Sequence, residues 1–297
     1  MLRIEVLEML NKLNAALKLA SILAKNKVIS PKEYAESYNS IHETYSSWNS
    51  VMGKYTIELI EKEIPEKNET ILDFACGNGF LSKYLFKLNE EINIIGVDIS
   101  EKLIEKCLLE NNKIKYITLD GIEYLEEIAK LPEEEKLDRI YTAWTLPYFN
   151  NDKLIKLFSS ALKKEGLVFL ISNSKNTLKN LDKVYRDVIV KHPKNLKKIM
   201  KISSNIPNGK LGLKKLFEKN AFKVLDIDEG EEIVKKSTAL DLYNWLKKSG
   251  VSAGTEEMFE MNDEIKKSII KAMEKRLYYD NTYNINHKFV RGIFKKE

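Results

Sequence analysis

Short apolar runs alternate along this chain with longer stretches in which apolar residues recur every three or four positions, the pattern of strands separated by helices. Ile71-Leu72-Asp73-Phe74, Ile94 to Asp98, Ile114 to Leu119, Asp138 to Thr142 and Gly166 to Ser172 read as buried strands, with Phe222 to Ile227 and Asn286 to Phe294 as two more. Phe80 to Leu88, Asn151 to Lys164, Ala239 to Ser249 and Glu256 to Arg276 read as helices. This order predicts an α/β, doubly wound fold with a mostly parallel seven-stranded sheet and an antiparallel last strand.

Ahead of the first strand the period is helical throughout. Val6, Leu10, Leu13, Leu17, Ala20 and Ala24 are spaced to share one helix face that covers core or meets a partner subunit, giving a possible homo-oligomer contact. Ser30 can cap a further helix, Pro31 suits its first turn, and Glu33 can close a capping box back to Ser30. Tyr34, Tyr38, Ile41, Tyr45 and Trp48 then follow at spacings of four and three, an aromatic face that suits core packing as well as a site. Residues 1–53 therefore read as an N-terminal helical cap and 54–297 as the main domain.

The chemistry concentrates at the strand ends. After Asp73 the chain reads Ala75-Cys76-Gly77-Asn78-Gly79 before the helix at Phe80, so the glycines allow a sharp turn and the helix N-terminus offers free amides to an anionic group. Asp98 ends the second strand 19 residues after Gly79, where nucleotide folds place a ribose-binding acid. Asp120-Gly121 ends the third, and Ala143-Trp144-Thr145-Leu146-Pro147-Tyr148 follows the fourth. A nicotinamide dinucleotide fold is the rival reading, since Ser82 is small enough for its third glycine position; Asp73 counts against it, because an acid there would repel a pyrophosphate.

These motifs resemble the class I S-adenosylmethionine-dependent methyltransferases, whose first loop reads acid-x-G-x-G-x-G, with Ala75 standing in for the first glycine. The resemblance runs from about Tyr34 to the C-terminus, and it implies S-adenosyl-L-methionine as the cofactor. It also implies that Asp73, Ala75, Gly77, Asn78 and Gly79 line the methionine end, that Asp98 and Ile99 take the ribose and adenine edge, and that Asp120 and Gly121 face the adenine. Tyr38 and Trp48 would fold over the cofactor, as a tyrosine-rich segment does in related enzymes; Tyr34, Tyr38, Trp144, Tyr148 and Tyr185 would wall the acceptor, although Trp144 equally suits core packing. His42 is the one candidate base, against a solvated surface histidine. Thr238 to Gly250 and the tail from Thr282 look similar to the malonyl-carrier-protein methyltransferase of biotin synthesis and to trans-aconitate methyltransferase, which esterify carboxylates.

Composition adds less. Only two cysteines occur, Cys76 and Cys107, without metal-ligand spacing, and the three histidines are scattered, so no metal is expected. The N-terminal segment is broken by Glu5, Glu8, Lys12 and Lys18, unlike a signal peptide, and no apolar run is long enough to span a bilayer, which implies a cytoplasmic protein. Between Lys175 and Lys223 stand fourteen basic residues against three acids, in a chain of net charge +5. In the family resembled, an insertion here, at about 175–220, forms a lid over the acceptor pocket. Its charge fits a solvated face, or the steering of an anionic small molecule or acidic carrier protein. A nucleic-acid partner is disfavoured by the lack of a recognition module or basic-aromatic tract elsewhere. The function expected is methyl transfer to a small or carrier-bound acceptor, with a carboxylate oxygen as first choice. N- or C-methylation of a metabolite or of RNA is the alternative, and so is a non-catalytic cofactor-binding partner protein.

Overall fold

The computed structural model describes residues 2–200 and 205–297, with side chains from residue 9 onward. Three helices open the chain: α1 (Leu2–Ala24), α2 (Pro31–Ser40) and α3 (Ser46–Ile60). The alternation follows as β1 (Thr70–Phe74), α4 (Phe80–Leu88), β2 (Asn93–Asp98), α5 (Glu101–Glu110), β3 (Lys115–Thr118), α6 (Gly121–Ile128), β4 (Leu137–Ala143), α7 (Asn151–Ala161) and β5 (Leu162–Asn173). Then come α8 (Lys179–Lys191), α9 (Gly209–Glu218), β6 (Phe222–Lys236), α10 (Ala239–Lys248), α11 (Thr255–Met258), α12 (Asp263–Leu277), β7 (Tyr278–Tyr279) and β8 (Thr282–Lys296).

The sheet runs β3-β2-β1-β4-β5-β8-β6, with the two-residue β7 paired to β8 off this path. β1 to β5 pair in parallel, and β8 returns antiparallel along β5, Leu167 facing Lys295 and Asn173 facing Phe289. The expected parallel sheet with an antiparallel last strand is therefore the fold observed.

Strand alternation divides the core into two layers. Leu72 and Phe74 of β1 point with Val97, Ile140, Val168 and Leu170 into a cluster closed by Leu125 of α6, Phe158 of α7 and Phe217 of α9. The odd residues of β1, Ile71 and Asp73, point the other way, toward the face covered by α3, α4 and α5, because successive side chains in a strand alternate sides. That parity sends Asp73 to α4, with consequences for the site.

Contacts divide the chain into two compact units. One comprises Tyr38–Thr177, Ile202–Glu232 and Lys288–Glu297 and holds the sheet's crevice; the other comprises Met1–Ser37, Leu178–Lys201 and Ile233–His287. A boundary at 53/54 would fall inside α3. Within the stretch from 175 to 220, α8 packs on α1 and α12 in the second unit, whereas α9 packs on α7 in the first.

On α1 the stripe of Leu10, Leu13 and Leu17 is exposed and so does not cover core, while Ala15 and Ile22, a separate line seven residues apart, are buried; the side chain of Val6 lies outside the described residues. Two further expectations are corrected. The aromatic stripe is not one helix, since α2 ends at Ser40 and α3 starts at Ser46. His42 Nδ1 contacts the Asn39 carbonyl at 2.9 Å and Thr44 Oγ1 donates to the Ile41 carbonyl at 3.2 Å, side-chain bonds that compete with helix continuation. The helix expected over 256–276 is broken between Met258 and Asp263, where Phe259 bridges to Leu196 and Asn262 caps α12 by accepting from the Ile265 amide. The capping box at Ser30 forms as expected: the Ser30 amide donates to Glu33 at 2.9 Å and the Glu33 amide to Ser30 Oγ at 3.3 Å. Hydrogen bonds from Lys198 and Ser30 hold the Glu33 carboxyl down to about 2.

Candidate active site at the strand ends

In this strand order the chain runs from β1 outward through β2 to β3 and then crosses back to β4 on the other side of β1, which opens a crevice at the carboxyl ends of β1 and β4. The loop after β1 is shaped for close approach. Ala75, Gly77 and Gly79 all take left-handed φ angles, of 55°, 54° and 68°. A Cβ on Gly77 would stand 3.2 Å from the Tyr45 ring, and one on Gly79 would collide with the Tyr116 hydroxyl at 2.6 Å. Gly79 is therefore required by packing inside the fold, and Gly77 by the space between loop and aromatic cover.

Asp73 is 2% exposed, and its Oδ2 accepts from both the amide (3.0 Å) and the hydroxyl (2.5 Å) of Ser82 on α4. Burial lifts its carboxyl to about 7 against those two bonds. The side chain thus clamps the loop to the helix from within.

Asp98 stands where the second strand ends. Its Oδ2 accepts from the Gly77 amide and its Oδ1 from the Ser100 amide, each at 2.8 Å, so one carboxylate ties the β1 and β2 loops together. Burial pushes its carboxyl up, opposed by backbone amides of Ser100, Gly77 and Ile99. Ile99 beside it is 41% exposed, an apolar face at the mouth of the crevice. Asp120 caps α6, accepting from the Ile122 amide at 2.7 Å, and Gly121 leaves room for the Phe74 ring, which a Cβ would approach to 2.5 Å. An acid with carboxylate lone pairs beyond its amide bonds, an exposed apolar neighbour and a cradle that a Cβ would fill suit an adenosine with a flexible tail, so these residues fit S-adenosylmethionine.

The aromatic residues of this unit form the other wall. The Tyr38 and Tyr148 hydroxyls share a hydrogen bond of 2.8 Å, and Tyr45 lies edge-on to Tyr38 at 5.5 Å. Trp48 is edge-on to Trp144 at 5.2 Å, and Trp144 in turn to Phe289 at 6.1 Å. Burial raises the pKa of Tyr38, Tyr45 and Tyr148. Trp144 holds a φ of 66°, a conformation that costs a bulky residue free energy and occurs at sites that over-determine it.

Tyr34 and Tyr185 belong to the other compact unit, Tyr34 against Gly254 and Tyr185 bonded through its hydroxyl to Thr255 at 3.5 Å. His42 lies beside Glu43, its Nε2 at 3.2 Å from the carboxylate. Three residues of the site escaped the sequence reading. Asn39 Oδ1 accepts from Ser100 Oγ at 2.7 Å and from the Lys102 amide at 3.1 Å, Asn49 donates to Asn78 at 3.0 Å, and Tyr45 covers Gly77. Tyr45 carried a signal, its place in the aromatic stripe; the asparagines carried none, because what they bond lies 29 to 63 residues away. Among the described residues no group of three His, Cys, Asp or Glu could hold a metal, and no helix is long and apolar enough to cross a membrane.

Comparison with known proteins agrees with this geometry. Residues 65–221 match the methyltransferase-domain family, and the chain belongs to it, with the fold of the class I S-adenosylmethionine-dependent methyltransferases. The ubiquinone biosynthesis O-methyltransferase of Pelagibacter ubique is 32% identical over 45% of this chain and 57% of its own length. The malonyl-[acyl-carrier protein] O-methyltransferase of Bacillus cereus is 25% identical over 48% and 54%. A solved phosphoethanolamine N-methyltransferase 2 from Haemonchus contortus shares the fold at a TM-score of 0.54 and 14% identity, over 91% of this chain and 60% of that one. The chain thus spans little more than half the length of the curated relatives it matches.

Proposed function

We propose that this protein transfers the methyl group of S-adenosylmethionine to an oxygen of a small or carrier-bound carboxylate. The observation that carries the reading is Asp98, whose carboxylate meets the Gly77 amide at 2.8 Å in a loop of small residues faced by the half-buried Tyr45. S-adenosylmethionine, when bound, supplies a methyl carbon on a positively charged sulfur that departs as a neutral thioether. Asp98 would hold the ribose hydroxyls, Ile99 would lie along the adenine, and Gly77 would admit the methionine portion. Aromatic faces such as Tyr38 and Trp144 would attract the sulfonium by ~0.5–2 kcal/mol.

The tyrosines favour an acceptor that arrives already ionised. With pKa values raised by burial, Tyr38 and Tyr148 stay protonated at neutral pH and act as hydrogen-bond donors, not as bases. Two such hydroxyls, 2.8 Å apart, can turn outward from one another to hold one carboxylate oxygen while the other attacks in line. A carboxylate needs no proton removed. Two relatives that are O-methyltransferases by name add support for oxygen.

Calorimetry and a labelled-donor assay test both halves. Asp98→Ala should weaken S-adenosylmethionine binding about 10- to 100-fold, from ~1.5–3 kcal/mol for a charged hydrogen bond. The wild type, incubated with labelled donor and carboxylic, phenolic, amine and transfer-RNA acceptors, should label the carboxylate. Labelling of an amine or RNA would overturn the acceptor, and a wild type that binds no donor would overturn the activity.

A further inference from the structure

Ala15 and Ile22, each 3% exposed, seat one side of α1 in its own unit, where α8 packs on the helix. That anchoring turns the opposite side outward. There Met9, Leu10, Leu13, Leu17 and Leu23 are 65%, 47%, 55%, 62% and 55% exposed. Ala16, Ala20 and Ala24 between them are exposed as well, so eight apolar residues make one continuous face. Its centre follows a rule. Positions 10, 13, 17, 20 and 24 alternate in steps of three and four, the spacing of a coiled-coil seam, and 9, 16 and 23 flank that seam on one side.

A contiguous exposed apolar face of this size marks an interaction surface. At these exposures it offers ~600 Å² per copy, and two such faces laid together bury ~1,200 Å², the lower end of specific protein interfaces. The seam is also graded in size, with leucine at 10, 13 and 17 and alanine at 20 and 24. Two copies running antiparallel set Leu10 against Ala20 and Leu13 against Leu17, so that large residues fill the space small ones leave. A parallel pair would set Ala20 and Ala24 against their own copies and leave that end thin.

Charge is graded in the same sense. Before the midpoint of α1, Arg3 and Lys12 balance Glu5 and Glu8; Lys18 follows the midpoint, and Lys25 and Lys27 stand just beyond the helix. Antiparallel pairing brings the late lysines of one copy alongside the half that holds both acids of the other, whereas parallel pairing stacks lysine upon lysine. We infer that α1 is a dimerisation helix whose occupant is the same helix of a second copy of this chain, packed antiparallel about a two-fold axis.

Sedimentation equilibrium on the full chain should give twice the 34.4 kDa of one chain, falling to that mass on dilution. Leu13→Lys combined with Leu17→Lys should weaken association about 100-fold, because pairing would bury both ammonium groups. Both positions are exposed in the single chain, so this variant should keep the far-ultraviolet circular dichroism and the S-adenosylhomocysteine affinity of the wild type. Single cysteines read the direction. Leu10→Cys and Ala20→Cys, mixed and treated with oxidised glutathione, should cross-link to each other, and neither should cross-link alone; the native Cys76 and Cys107 are buried. A wild type that stays monomeric at high concentration would overturn the dimer, as would one whose association survives the double lysine substitution. A monomer that binds anionic lipid vesicles through the same leucines would overturn it too, in favour of a membrane surface. Cross-linking of Leu10→Cys with itself would overturn the antiparallel arrangement.

Discussion

Asp73 shows how much one buried carboxyl determines in this loop. It is almost sealed from water, it receives two bonds from Ser82, and burial still lifts it to about 7 from an ordinary value of 3.8. Between these two values the folded chain holds a proton that the unfolded chain has released. The stability Asp73 contributes is therefore complete below the lower value and is lost as pH rises through the upper one. Urea unfolding at pH 5 and pH 8 should find the wild type losing ~2–4 kcal/mol across this range relative to Asp73→Asn, which has no proton to lose. Parallel pH profiles for the two proteins would show that the Ser82 bonds hold the carboxyl ionised throughout. Ala75 carries a related cost, since its φ of 55° is one that glycine adopts freely and alanine does not. The first glycine of the family motif is thus a backbone requirement that this chain meets with strain.

Among the elements, α2 and α3 act through two asparagines that pin them to the loops below. Asn39 supplies α5 with the cap that its own Ser100 does not, and Ser100 in turn donates its amide to Asp98. Asn39 accordingly positions Asp98 through Ser100. Asn39→Ala should weaken S-adenosylhomocysteine binding about 3- to 10-fold, in line with ~1 kcal/mol for a lost cap, while Asn39→Asp should restore it. Exchange of the Lys102 amide, measured without ligand, should quicken only in the alanine variant. Equal affinities in all three proteins would leave Asn39 a surface residue. The strand ends around it were legible in the sequence because each buried run stops at an acid or a glycine, at Asp73, Asp98 and Asp120, and strand parity needs no partner to be read. The face of α1 was not legible. Leu10, Leu13 and Leu17 make the stronger periodic stripe, yet Ala15 and Ile22 are the residues tertiary packing buries. The break at residues 259–262 was missed for a similar reason: Phe259 keeps the apolar period, and only Asn262 marks a new helix start.

At the scale of the whole molecule, the basic stretch from Lys175 to Lys223 divides between the two compact units. Lys179 through Lys198 lie in one and Lys210 through Lys223 in the other, with Lys201 outside the described residues. Spacing along a chain cannot reveal that division. Some of this charge is locally satisfied, since Lys198 pairs with Glu33, Lys219 with Asp152, and Lys214 with Glu218 at 3.5 Å. Exposed cations such as Lys194 and Lys197 keep the steering reading open to a decisive experiment. With an anionic acceptor, reversing Lys194 and Lys197 to Glu in one variant, and Lys210 and Lys215 in another, should raise KM in whichever carries the steering. Donor affinity and kcat should hold, because the charges act on encounter and not on the bound geometry. Raising ionic strength should slow the wild type more than that variant, since exposed charges separated by more than ~8 Å are screened at physiological salt. If both variants match the wild type in KM and in salt response, the lysines are solvated surface of the segment after α8 and of α9, and the crevice at the strand ends recruits its acceptor by contact alone.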